Sequence, residues 1–220
     1  MKKLLLLLSI VSTLTFAEEV KEGKVTDKKV EEEKVVDMSD PTQVYSSVSL
    51  KTDFEGDFDG SIGLGAGKNL GKFETNKGAE EFKLYYAHMN EGKGFYAEMG
   101  FGENWQTYSA GGVMTLNVGK RTKIFPVAMI GVSNVLNDSD PMITGGAYIR
   151  TNIGKGFGIG ADLFYTLLMN DAGKPYDGNS IKVFGSYQYK SHLVKLGYSN
   201  EADIDTGEEG EVYLQYTIAF

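Results

Sequence analysis

The sequence predicts an all-β fold: a closed, antiparallel, up-and-down transmembrane β-barrel, with 12 strands favoured and 10 or 8 as alternatives. Three observations lead there. Hydrophobicity from Val44 to Phe220 alternates with a period of two, and short glycine–lysine turns alternate with longer acidic connections. A basic, then apolar, then small-residue order opens the chain. Composition fits this class: 220 residues hold 28 Gly, 13 Tyr and 12 Phe but only 4 Pro and no Cys. The lack of cysteine excludes a disulfide framework, a thiolate metal site and a Cys nucleophile. With 30 acidic against 22 basic residues, no basic stripe is present to neutralise phosphates, so nucleic acid is not an expected partner.

Met1-Lys2-Lys3, the mainly apolar run Leu4 to Phe16 and Ala17 before Glu18 have the layout of a secretory signal peptide, with cleavage expected near Ala17. The run is shorter than the ~20 residues a helical span needs. Residues 18–42 repeat Lys-Val at Lys24-Val25, Lys29-Val30 and Lys34-Val35, around Glu31-Glu32-Glu33. A five-residue period suits neither helix nor strand. The segment reads as a charged, low-complexity periplasmic spacer, ended near Pro41.

Residues 43–220 make the barrel. Strands are expected at about 43–52, 59–67, 71–76, 80–90, 94–102, 105–118, 122–133, 141–153, 156–168, 179–189, 192–200 and 210–220. Phe82, Leu84 and Tyr86 oppose Lys83, Tyr85 and Ala87, and Phe95, Ala97 and Met99 oppose Tyr96, Glu98 and Gly100. Ile143, Ala147 and Ile149 oppose Thr144, Gly146, Tyr148 and Arg150. Phe157, Ile159, Ala161 and Leu163 oppose Gly158, Gly160 and Asp162, and Ile181 and Val183 oppose Lys182. Only Ile124–Val132 is apolar on both faces, and the piece at 71–76 is short and weakly patterned. One apolar face and one face of Gly, Ser, Thr, Tyr and scattered charge suit lipid outside and a polar interior.

The turns are a second signal. Gly67-Lys68, Gly92-Lys93-Gly94, Gly119-Lys120, Gly154-Lys155-Gly156 and Lys190-Ser191 are short. Asp53–Asp59, Asn137–Pro141, Asn170–Asp177 and Asn200–Gly210 are longer and hold most of the acids. Lys72, Arg121 and Lys123 are expected with the short turns, giving that end a basic character.

The export signal, the two-faced strands and a last strand running Val212, Leu214, Tyr216, Ile218 and Phe220 resemble the bacterial outer-membrane β-barrel proteins, of the small porin-like class. The resemblance covers residues 43–220. It implies residence in outer-membrane lipid and delivery by the barrel-assembly machinery, with Tyr216, Ile218 and Phe220 as the assembly signal. In size and architecture alone the chain is similar to small porins for acidic oligosaccharides; no sugar-reading motif carries over. One fold hosts many functions, so no activity is implied.

Catalytic chemistry is not expected. His88 and His192 fall at different short turns, and a Ser-His or Asp-His pair needs hydrogen-bond reach. No G-x-S-x-G or H-E-x-x-H motif occurs, and no cofactor is implied. Asp53, Glu55, Asp57 and Asp59 alternate like half a calcium loop, but the twelfth-position carboxylate is missing, so a solvated acidic tip is the simpler expectation. On the inward face Lys51, Lys83, Arg150, Lys182 and Lys195 stand against Glu98, Asp162 and Glu211. Arg150 and Asp162, across the Gly154–Gly156 turn, are expected to face each other. Such charges either form a satisfied network that plugs the lumen or line a water path favouring anions. The expected function is a narrow passive channel for small solutes, anions among them. The alternative is a non-conducting barrel with a structural or adhesive role through its acidic outer loops.

Overall fold

The computed structural model describes residues 36–135, 138–169, 175–201 and 210–220. The expected signal sequence at 1–17, most of the 18–42 segment and parts of three long connections lie outside the described residues. In chain order the strands are β1 (Ser47–Asp53), β2 (Phe58–Ala66), β3 (Asn69–Asn76), β4 (Glu81–Asn90), β5 (Lys93–Phe101) and β6 (Trp105–Met114). Then come β7 (Leu116–Val118), β8 (Thr122–Val135), β9 (Asp138–Gly154), β10 (Phe157–Met169), β11 (Pro175–Tyr189), β12 (His192–Glu201) and β13 (Glu211–Ala219). One 3-10 turn, Lys77–Ala79, links β3 to β4.

All pairings are antiparallel. β1 pairs with both β2 and β13, and β6 pairs with β8, so the ring is closed. β7 is not an extra stave. Its pairing Leu116↔Ile124 continues the register of Val113↔Val127, with only Thr115 between, whose N–H donates to the Gly92 carbonyl at 2.6 Å. Twelve staves therefore form the wall, and β3, the weakly patterned segment, is a full member. Leu70, Lys72 and Glu74 turn inward there while Phe73 turns outward.

Following the registers around the ring returns to β1 displaced by about 14 residues, which for 12 strands sets a tilt near ~40° and a backbone radius of roughly 11–12 Å. The turns at the short-turn end are tight. Glu91 and Gly92 have φ of 50° and 78°, and Lys155 and Gly156 of 54° and 83°. Two successive left-handed residues make the primed turn that matches strand twist, and glycine takes its second position without strain.

The outer face is apolar and exposed all round. Phe95, Phe157, Tyr187, Tyr189, Tyr216 and Phe220 ring the short-turn end, and Phe73, Phe82, Tyr165 and Tyr198 lie toward the loops. Aliphatic residues such as Leu84, Ile130, Ile159 and Leu214 fill the band between. Aromatic girdles around an aliphatic belt are what a barrel presents to lipid. Inside, Ala87, Met89, Val113, Phe125, Val127 and Met129 form one buried cluster, with Val44, Leu70, Tyr96, Tyr148 and Phe164 packed against it. This explains the doubly apolar 124–132 segment, whose inner row meets β4, β6 and the chain before β1.

Phe125 is fully buried, whereas Phe95 is 48% exposed on the outer face. Phe125→Ala should lower stability by about 3–5 kcal/mol, and Phe95→Ala by clearly less. Urea titration of both variants refolded in detergent measures the difference.

Candidate functional site in the lumen

The eight inward charges named from the sequence all sit on inward rows of their strands. Lys51 bridges Asp59 at 3.1 Å and Glu211 at 2.9 Å toward the loop end. Lys83 on β4 lies opposite Glu74 and one row from Glu98. Lys182 on β11 lies opposite Asp162 on β10. Arg150 reaches Asp162 at 2.5 Å. The contact is diagonal, because register sets Arg150 opposite Gly160 and Asp162 opposite Tyr148. A side chain at Gly160 would collide with the Phe184 ring, so this glycine makes room for the ring on the inner face.

Phe184 organises the centre. The Arg150 guanidinium lies 4.8 Å from its centroid and the Lys195 ammonium 4.7 Å. Both cations are attracted to the ring's electron-rich faces. Arg150 is further held by the Ala161 carbonyl at 3.1 Å and by the Tyr148 ring. Lys195 makes no ion pair among the described residues.

Sequence reasoning missed several inward groups. Lys72 and Lys123 do not belong to the short turns: they lie on inward rows of β3 and β8, where Lys72 pairs with Glu74 and Lys123 with Asp40. Asp59 also turns inward. Period-two alternation was the available signal, since Lys72 and Glu74 share a row with Leu70 against Phe73. With Asp40, Asp59 and Glu74 added to Lys72 and Lys123, the named inward groups are seven cations and six carboxylates, and three of the cations, Arg150, Lys182 and Lys195, stand around Asp162.

The second missed feature is the chain before β1. Met38, Asp40 and Thr42, from the end of the stretch read as a spacer, are buried. Asp40 meets Lys123 at 2.7 Å, and Arg150 Nε donates to the Ser39 carbonyl at 2.9 Å. Gln188 accepts from Met38 N at 3.0 Å and donates to the Val36 carbonyl at 2.6 Å. Thr42 Oγ1 lies 3.4 Å from Thr115 Oγ1, and Val44 rests on the apolar cluster. Residues 36–46 thus touch β5, β8, β9 and β11 and lie across the short-turn end of the lumen. Burial, with the Asp37 and Asp40 carboxylates nearby, pushes the Tyr45 phenol up to about 12, so it stays a donor to the Met38 carbonyl at 3.0 Å.

The remaining candidates separate. Asp53 Oδ1 accepts the N–H groups of Glu55, Gly56 and Asp57 at 2.7–2.9 Å, forming a self-contained turn, while Asp59 faces the lumen. Among the described residues no three His, Asp or Glu converge as metal ligands. His88 Nδ1 meets Asn69 Oδ1 at 2.9 Å on β4, and His192 Nδ1 meets the Tyr216 hydroxyl at 2.7 Å on β12. Both rings are exposed on the outer face at separate places around the ring.

Asp162→Ala leaves the largely buried Arg150 guanidinium without its carboxylate and should cost on the order of 1–3 kcal/mol. Replacing both by neutral residues should recover part of that loss. A double-mutant cycle by urea titration measures the coupling; strict additivity would show none.

No protein-family model matches this sequence, and no curated protein matches it. Solved structures match the fold. The NanC porin superposes with a TM-score of 0.58 at 9% identity, covering 81% of this chain and 99% of that one. The KdgM porin, solved in complex with disordered oligogalacturonate, gives 0.54 at 10% identity, covering 80% and 99%. An outer membrane channel from Pseudomonas putida F1 gives 0.54 at 10% identity, covering 84% and 99%. The chain therefore has the fold of the small porin-like outer-membrane barrels.

Proposed function

We propose that this protein is an outer-membrane channel that passes small solutes by diffusion and prefers anions. The observation that carries the reading is the pair of cations on Phe184, Arg150 at 4.8 Å and Lys195 at 4.7 Å, with the Asp162 carboxylate beside them. Two cations beside one carboxylate leave a positive stretch of lumen wall, a station for a passing anion. The apolar girdled exterior supports an outer-membrane site, with the short turns in the periplasm and the Asp53 tip outside. The outward row Leu214, Tyr216, Ile218 and Phe220 supports β13 as the strand the assembly machinery engages. One observation favours the alternative, a non-conducting structural or adhesive barrel: residues 36–46 and the apolar cluster occupy the short-turn end.

Planar-bilayer recording of the refolded chain separates the two. Discrete conductance steps with a reversal potential shifted toward the anion are expected across a KCl gradient. Lys195→Glu should lower the anion-to-cation permeability ratio several-fold while the unfolding midpoint changes little. Absence of steps would overturn the channel reading. In cells, the protein should fractionate with outer membranes and migrate differently on boiled and unboiled gels; recovery as a soluble protein would refute its membrane site.

A further inference from the structure

The chain before β1 is held unlike any other part of the wall. From Val36 to Tyr45 its backbone–backbone hydrogen bonds are internal among the described residues: Asp40 N to Asp37 O at 3.1 Å and Gln43 N to Asp40 O at 3.2 Å. Among the described residues, each hydrogen bond that ties it to the barrel uses a side chain of the wall. Ser46, by contrast, is pinned. Its carbonyl accepts Phe220 N–H at 3.0 Å, and its Oγ accepts Gly65 N–H at 3.1 Å. The geometry is a hinge at Ser46 and a strap beyond it.

The strap's polar anchors are anion-like. Asp40 lies on Lys123, Asp37 stands 3.8 Å from the same ammonium, and the Ser39 carbonyl oxygen takes Arg150 Nε. Asp40 is itself preset, accepting Thr42 N–H at 2.9 Å and the Thr42 hydroxyl at 2.6 Å. Lys123 is 38% exposed and Asp40 3%, so water and salt reach the pair from the Lys123 side and screen it there. Arg150 serves the strap and the central cation strip at once.

We propose that Val36–Tyr45 is a releasable strap that closes the short-turn end of the lumen as an internal stand-in for an anion. Asp40 and the Ser39 carbonyl occupy Lys123 and Arg150, and a small oxyanion entering the lumen competes for the same two cations. The competition rests on the reading of the lumen as an anion path; closure by the strap does not.

The chain has no cysteine, so single thiols report cleanly. Met38, within the strap, is 4% exposed while the strap is seated. In Met38→Cys, labelling by an uncharged maleimide should be slow in sodium chloride. It should rise about tenfold in sodium sulfate at equal ionic strength, and be fast without sulfate when Asp40→Asn is added. Gly65→Ala releases the strap without changing charge, because its Cβ would lie 2.8 Å from the Tyr45 carbonyl carbon. Labelling equally fast in every variant and salt overturns the strap, and sulfate-independent labelling with a fast Asp40→Asn variant overturns the competition. In bilayers, Asp40→Asn and Gly65→Ala should conduct at least twofold more than the unaltered chain. A Thr42→Cys/Thr115→Cys disulfide should hold the lowest level until reduced. Conductance indifferent to all three overturns the gate and leaves the channel standing. No conductance in any variant, with labelling as expected, overturns the channel and leaves a releasable closure.

Discussion

Every backbone polar group at the depth of the lipid must find a partner within the wall, and only a closed ring provides it. The pairing of β1 with β13 meets that demand at the one place where the ring is not made by a hairpin. Once closed, the ring has no free edge. The chain before β1 has no strand to join, and its remaining course is outward into water or inward across the lumen. Residues 36–46 go inward, where side-chain groups of the wall replace the missing edge.

The same closure sets what the interior must contain. A ring of this stagger is wider than one whose side chains simply meet at the axis, and its inner rows differ around the circumference. From β4 to β8 the inner face is greasy and packed by Met89, Phe125 and Met129, with Val44 against them. Across β9 to β12 it is cationic and aromatic, around Arg150, Phe184 and Lys195. Toward the loops a paired network surrounds Lys51. Arg150 belongs both to the cationic strip and to the anchors of the chain before β1.

Most of the wall was legible in the sequence because period-two alternation and turn glycines are local signals. All 12 staves lie within a few residues of the expected spans, and the inward charges follow directly from parity. Parity predicts that Arg150 and Asp162 share the inner face but not that they meet diagonally; the diagonal follows from the register set by the bulge at Ile153, between the pairs Phe157↔Gly154 and Gly158↔Asn152. Lys72 and Lys123 mislead because a lysine four or five residues past a turn glycine looks the same in sequence whether it belongs to the turn or to an inward row. The strap was illegible for a different reason. Asp40, Pro41 and Thr42 have the composition of a solvated linker, and what buries them are partners on distant strands.

That distance bears on how the molecule is made. The strap's anchors lie 83 residues away at Lys123, 111 at Arg150 and about 150 at Gln188. Contacts of such separation form late, since long loops must close first. None of these partners stands in place until β8, β9 and β11 have taken their positions in the ring. The first described residues of the chain are thus among the last to settle, and a seated strap is a mark that the barrel around it is complete.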